Sequence, residues 1–453
     1  MKKNVTKTQA LLTAIGMMIG SGIFFRADNI VSSTQGNVLI GIIGWIFIGT
    51  TLVFAGLTIA SIASRTTQNG GFIGYIEEHF GKRWAFIVGW YQIVVYIPIM
   101  VAVLSSVLVD YALQLFGFEL TDIQSFIAWI CIVVFVVIWN ILSTKIAAMV
   151  SSTATIIKII PLLLVAFLGL IMGDVSSISH DTVASLVSAT PKGTLALFFA
   201  PLLSMAFAFD GWITVGSLSV DMKNPQKDLP KVFVWSVIIT TAVYTLYFIG
   251  INTTLDAATI AEMKDSHVGE VAKMLMGENF GPTFVLTCVV VSVLGTLNGM
   301  IMAGGRYVSK MCDENLLPNS EIIKKSSRFA TPANALILVL CISFVYQILF
   351  YLKFIGVEWL QAISIDDIPM VLNSALYIML FVAVMRLAKN WKLSIFRGVI
   401  APLIAILGQA LIIIGFFINA DNVMIPIIYI IISFAIIAMG FVVCDKQVKE
   451  LKK

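Results

Sequence analysis

Apolar residues run through this chain in long blocks, and polar residues fall in short links between them. Stretches such as 126–141 and 156–172 are almost free of charge. Neither alternates apolar and polar positions as the strands of a membrane barrel do. About 20 mostly apolar residues cross a bilayer as a helix, and in lipid only helices or closed barrels satisfy the backbone. The blocks therefore predict an all-α integral membrane protein with twelve transmembrane helices, at roughly 9–32, 38–62, 84–114, 123–142, 146–173, 195–220, 231–254, 281–312, 334–352, 368–388, 399–418 and 423–444.

The links alternate in charge. One side holds Lys2, Lys3, Lys7, Arg65, Lys82, Arg83, Lys145, Lys223, Lys227, Lys231, Lys310, Lys324, Lys325, Arg328, Arg386, Lys389, Lys392, Arg397 and the lysines after 445. The other side holds Arg26, Lys192, Lys264, Lys273 and Lys353. The positive-inside rule then puts both termini in the cytoplasm of a cell-membrane protein, in agreement with an even helix count. The acidic stretch 255–280 becomes the largest external loop. Lysines ahead of the first apolar run mimic a signal peptide. No small-residue cleavage site closes that run, and many spans follow, so it reads as a retained helix.

Composition agrees. Of 453 residues, 59% are hydrophobic and 12% charged, whereas a soluble domain carries roughly 25% charge. No polar stretch is long enough for a core of its own, so residues 1–453 read as one membrane domain. The net charge of +4 follows topology and leaves no nucleic-acid footprint. The five cysteines, Cys131, Cys288, Cys312, Cys341 and Cys444, form no CxxC pair and read as small buried hydrophobes. His79, His180 and His267 lie in separate loops, and no metal site or cofactor is expected.

Candidate chemistry sits at two interruptions. The first span carries Gly16-Met17-Met18-Ile19-Gly20-Ser21-Gly22-Ile23-Phe24. Gly-Ser-Gly at mid-span can unwind, and backbone freed at that depth must be buried in protein or face a cavity. The half-helix after the break would aim its N–H groups at that cavity, a setting for a carboxylate. The alternative is close helix packing, for which Gly16 and Gly20 have the GxxxG spacing. The sixth span carries Phe207-Ala208-Phe209-Asp210-Gly211-Trp212, an expensive mid-membrane carboxylate beside a glycine. Asp210 fits either a second break or a structural pair with a neighbouring helix. Two interrupted helices, each opening a group of five, point to an inverted-repeat transporter.

Lys158 is the one cation squarely within a span, and it must face the bundle interior or a wet cavity. It fits a structural ammonium bonded to helix carbonyls, a fixed charge where other carriers bind sodium, or a proton site. The glycines of 69–75 suit a turn into a short interfacial helix. Asn140 and Asn298 read as helix glue. Tyr244 and Trp212 fit core packing as well as cavity lining.

These residues resemble a known family. The pattern G-x-x-I-G-S-G-I-F at 16–24 is similar to the first-helix signature of the amino acid–polyamine–organocation superfamily. Gly70-Gly71 with Tyr75 and Gly81 resembles its cytoplasmic signature. The run 207–212, followed by Lys223-Asn224-Pro225 and Pro230, is similar to the L-amino-acid transporter branch. The resemblance implies a LeuT-like fold of five plus five inverted helices, with repeats at roughly 9–173 and 195–388, broken helices 1 and 6, and two extra helices over 399–444. It implies that the substrate carboxylate binds N–H groups of Gly20, Ser21 and Gly22, in a first break that includes Met18 and Ile19. The amine would take carbonyls of Met18 and Phe207, with Ala208 or Asp210, beside Gly211. Phe207 matches the aromatic gate, Lys158 the fifth-helix lysine of sodium-independent members, and Tyr244 joins them as a gating residue. Two departures stand out. Many animal members of the branch have Gly at the position of Asp210, and their heavy-subunit cysteine is absent from the loop 116–123, so no disulfide-linked partner is expected.

The resulting expectation is a secondary carrier of small neutral amino acids, such as serine, threonine or alanine, working by exchange. A proton-coupled importer of the same fold is the nearest alternative. A channel would need a pore-lining ring. A membrane-embedded enzyme would need a reactive constellation, and the spans hold no His–Asp–Ser, HExxH or paired-carboxylate set.

Overall fold

Capping side chains and glycines set where the helices begin and stop. The computed structural model describes residues 6–20, 22–66, 71–143, 153–154, 156–178, 197–213, 222, 224–313, 315, 317–324, 333–357, 360, 365, 367–419 and 424–450. Every regular element among them is helical.

The first span comes as three pieces, α1 (Lys7–Met18), α2 (Gly22–Phe25) and α3 (Ala27–Ser33). Thr6 and Gln9 form a capping box that starts α1. Asn37 caps α4 (Val38–Ala63), accepting from the Ile40 N–H at 3.0 Å. Gly71, at φ +57°, turns the chain into the short helix α5 (Phe72–Phe80), the element expected after the loop glycines; Asn69 and Gly70 lie outside the described residues. Gly81, at φ +87°, separates α5 from α6 (Lys82–Tyr91). A π-turn at Gln92–Tyr96 joins α6 to α7 (Ile97–Phe116), and left-handed Gly117 ends that span.

The remaining elements are α8 (Asp122–Leu142), α9 (Ile159–Met172), α10 (Leu202–Ala208), α11 (Pro225–Thr254), α12 (Ala257–Met263), α13 (His267–Met276), α14 (Phe280–Asp313), α15 (Ser320–Ile323), α16 (Ala333–Phe354), α17 (Asp367–Leu387), α18 (Ala401–Asn419) and α19 (Met424–Glu450). The acidic loop 255–280 thus folds largely as helices α12 and α13.

Among the described residues, eight helices are long and apolar enough to cross a membrane. They match the second, third, fourth and seventh through eleventh expected spans. Shorter apolar helices at Ile159–Met172, Leu197–Ala208 and Ile430–Val443 fall in the fifth, sixth and twelfth. The chain is a multi-pass helical membrane protein.

It divides into two compact units, each drawing on both halves of the sequence. The first holds Met1–Tyr75, Thr155–Ser292 and Met370–Asp421. Within it α11 packs along α4, α9 and α1, and α18 packs along α4. The second holds Ile76–Ala154, Val293–Pro369 and Asn422–Lys453. Within it α16 packs on α7 and α8, and α19 packs on α6. Asn140 donates to Asn298 Oδ1 at 2.7 Å, the helix-to-helix bond expected of the two buried amides.

The cysteines need a correction. Cys288 and Cys312 are buried, but Cys131 and Cys341 are exposed, and all four are free thiols. Cys131 and Cys341 lie on α8 and α16, the two long spans least covered by protein, where lipid replaces a protein core as the apolar surrounding. The Cys444 side chain lies outside the described residues.

Candidate functional site

An α-helix that stops at mid-span leaves its last carbonyls without N–H partners. Helix α1 stops in this way. The N–H of Ile19 still reaches Ile15 O at 2.7 Å, but Ile19 itself is extended, at φ −71° and ψ 91°. The helix resumes only at Gly22. Ser21 lies outside the described residues. A continued helix would have given the Gly16 carbonyl an N–H from Gly20. It takes the Lys158 ammonium instead, with Nζ donating to Gly16 O at 2.5 Å. Lys158 is 5% exposed and stands at the residue before α9, so it faces the interior as its sequence context requires. Of the readings open to it, a hydrogen bond to a helix carbonyl is the one the geometry contains.

The second interruption follows the same logic. Helix α10 ends at Ala208, and the Asp210 N–H turns back to Phe207 O at 3.0 Å. Gly211 stands at φ +92°, a conformation that L side chains rarely adopt, so a glycine belongs at this turn. Asp210 and Gly211 are half-buried. The continuation over 214–220 lies outside the described residues.

Tyr244, on α11 and fully buried, joins the two interruptions. Its Oη lies 2.9 Å from Met18 O and 2.9 Å from Ala208 O, and the phenol donates to one of them at a time. Each carbonyl has two lone pairs. Each can therefore accept a further donor beside the phenol.

Around this junction lie aromatic rings. Tyr244 packs against Trp45 and Phe209, with centroids 5.3 and 5.0 Å away. Phe207 is buried, and the Arg26 guanidinium lies over its ring, 4.2 Å from the centroid. A Cβ placed on Gly22 would sit 3.0 Å from Phe207 Cδ1 and 3.2 Å from Ala208 Cα. Gly22 thus serves close packing as well as the break. Trp212 packs edge-on against Tyr377 at 5.2 Å.

The structure brings together Met18, Phe207, Ala208, Tyr244 and Gly22, and it ties Lys158 to the same broken helix. Sequence reasoning missed Arg26, Trp45 and Phe209. Arg26 was read only as a topology marker, although a cation directly after Gly22-Ile23-Phe24-Phe25 is a signal that it sits beside the break. Trp45 and Phe209 give no signal beyond their apolar character.

Comparison with known proteins extends the picture. A family model described as amino acid permease matches residues 7–444. The serine/threonine exchanger SteT of Bacillus subtilis (strain 168) is 30% identical over 395 residues, covering 86% of this chain and 85% of that one. The human cystine/glutamate transporter is 26% identical over 326 residues, covering 70% of this chain and 62% of that one. The human b(0,+)-type amino acid transporter 1 is 24% identical over 357 residues, covering 77% and 70%. These relatives are named as transporters and exchangers, not as enzymes.

Proposed function

The chain belongs to the amino acid permease family of the amino acid–polyamine–organocation superfamily, and from that premise we propose that it is a sodium-independent exchanger of small neutral L-amino acids such as serine, threonine or alanine. The observation that carries this reading is the pair of helix ends joined at Tyr244. One zwitterion could meet an N-terminal half-helix with its carboxylate and carbonyl lone pairs at the helix ends with its ammonium. In this reading Gly20, Ser21 and Gly22 take the carboxylate, and Met18, Phe207 and Ala208 take the amine. Ile19, Asp210 and Gly211 line the same space.

The crowding of the junction by the buried rings of Phe207, Trp45 and Phe209 supports a small substrate side chain. The name of the serine/threonine exchanger supports the same substrate class. Lys158 supplies a fixed charge at the broken helix, which supports sodium independence. Phe207, with Arg26 above it, is the proposed gate. Alternating access would work through the repeats 9–173 and 195–388, with 399–444 as additional helices. The proposal places the protein in the cell membrane with both termini inside and no disulfide-linked heavy subunit, since residues 116–123 contain no cysteine.

The test is uptake of labelled serine into proteoliposomes. Internal unlabelled serine should accelerate uptake, sodium should have no effect, and serine amide should compete poorly because it lacks the carboxylate. Lys158→Ala should sharply reduce transport while the protein stays monodisperse. Uptake driven by a pH gradient without internal substrate would favour the proton-coupled importer. Sodium stimulation, or strong inhibition by the amide, would overturn the reading.

A further inference from the structure

Away from the helix breaks, the first compact unit contains a polar cleft at the end of its helices where cationic links cluster. The cleft has a volume of about 160 Å³ and is lined by Ser61, Ser64, Arg65, Gln226 and Arg397, with Leu57, Ala60 and Pro230 at its apolar side. No carboxylate is among these residues. Asp228 shares the first turn of α11 with Gln226 but does not line the cleft.

One guanidinium is held in place. Arg65 Nη1 donates to Ser61 O at 2.9 Å, and its guanidinium lies 5.4 Å from the Trp391 ring. Arg397 lies in a second π-turn, Phe396–Ile400, which leads into α18. Two guanidinium groups that line one recess with the Ser64 hydroxyl and the Gln226 amide suit a phosphate, which the planar fork can grip through paired N–H bonds. The neighbours of Arg397 say where that phosphate comes from. Ile395, Phe396, Val399 and Ile400 are exposed hydrophobics on the same segment, so a charged recess stands beside a surface suited to acyl chains. Free phosphate would need only the recess.

We propose that this cleft binds the phosphate of an anionic phospholipid, such as phosphatidylglycerol, in the leaflet at that end of the helices. Basic pockets among membrane helices bind lipid headgroups by the same chemistry. The site is independent of the substrate reading above and touches none of its residues.

Native mass spectrometry of the purified full-length protein tests it, with phosphatidylglycerol and phosphatidylcholine offered at equal concentration. Phosphatidylglycerol should be retained preferentially. Retention should fall about five-fold in Arg397→Gln, and again by about that factor when Arg65→Gln is added. Lys389→Gln, an exposed cation outside the cleft, should leave retention unchanged. Arg397 is exposed, so its variant carries the test even if loss of Arg65 disturbs Trp391 and the fold. Equal retention of both lipids, or an equal loss in Lys389→Gln, would overturn the proposal. So would displacement of the lipid by millimolar inorganic phosphate, which would make the cleft a site for a soluble anion.

Discussion

Two sets of glycines in the same compact unit do opposite work. Gly16, Gly20 and Gly22 lie where a helix comes apart. Gly169 and Gly250 lie inside two helices that touch, and Gly173 is the residue at which the first of them ends. At the second place, a Cβ on Gly250 would meet Val165 O at 2.6 Å and Ala166 Cα at 2.9 Å, so α9 and α11 are in backbone contact. Yet the Gly169 carbonyl keeps its helical partner, the Gly173 N–H at 2.9 Å, and gains the Thr253 hydroxyl at 2.9 Å. At the first place the Gly16 carbonyl has Lys158 in the position a helical N–H would hold. Glycine spacing is nearly the same in both. What separates them is whether an incoming side chain adds to the helical hydrogen bonds or replaces them. A glycine pair in a span therefore marks only a close approach, and a carbonyl whose helical N–H has been replaced by a side-chain donor marks a break.

The largest expected effect breaks the packed pair. Gly250→Leu drives a side chain into the α9 backbone, which cannot rotate away as a side-chain tip could. Overpacking of this kind should cost about 3 kcal/mol or more. Thermal unfolding followed by size-exclusion fluorescence should show a large loss of folded protein, with residual transport lost in proportion. A variant that is normally stable would show that the α9–α11 contact is looser than described.

Gly22→Val tests the broken helix in the same way and should separate function from folding. The new side chain meets the Phe207 ring, which can move, as well as the Ala208 backbone. Destabilisation should be smaller than for Gly250→Leu, on the order of 1–3 kcal/mol, while counterflow is abolished. Equal damage to stability in the two variants, with transport merely following the folded fraction, would make Gly22 another packing glycine.

Phe207→Ala should be milder. It removes a buried ring worth roughly 1–3 kcal/mol and deprives Arg26 of a cation–π partner worth roughly 1 kcal/mol. Substrate affinity should fall about ten-fold, and efflux without counter-substrate should rise. Unchanged affinity together with an unchanged ratio of exchange to efflux would remove Phe207 from the gate.

How much of this was legible in the sequence follows from the same physics. Spans such as α4 and α8 could be read directly, because an apolar run of that length has one use in lipid. Both interruptions could be read as well, since Gly20-Ser21-Gly22 and Asp210-Gly211 are poor helix at a depth where failure is expensive. The partners could not. Lys158 was visible as a buried cation, but nothing in its neighbours names Gly16 as its acceptor, 142 residues away. Tyr244 fits core packing, cavity lining and a gate alike in the sequence, because its role lies in where its hydroxyl ends, and tertiary packing alone decides that. Cys131 and Cys341 were misread because hydrophobicity does not distinguish a lipid-facing position from a protein-facing one.

The smallest effect concerns the same device in water. Helix α12 begins with Asp256, whose Oδ1 accepts from the Thr259 N–H at 2.9 Å and whose Oδ2 accepts from the Thr259 hydroxyl at 2.7 Å. Here too a side chain serves an orphan backbone group at a helix end, but outside the spans and exposed. The Thr259 hydroxyl, followed by its N–H, holds the Asp256 carboxyl below the ordinary carboxylate range. The folded pKa is thus below the unfolded one. The cap contributes its full stability above the unfolded value and loses it as pH falls through the depressed folded value. Solvent can replace the cap, so Asp256→Ala should cost at most about 1 kcal/mol, and only locally. Hydrogen exchange of the α12 amides at neutral pH should speed up by about five-fold in Asp256→Ala. The difference should shrink under acid, and Asp256→Asn should show little change at either pH. Transport should be untouched. An effect on α12 as large as that of Gly250→Leu on the whole protein would contradict the comparison, because it would mean that a helix end bathed in water depends on its side-chain partner as heavily as one buried in the membrane.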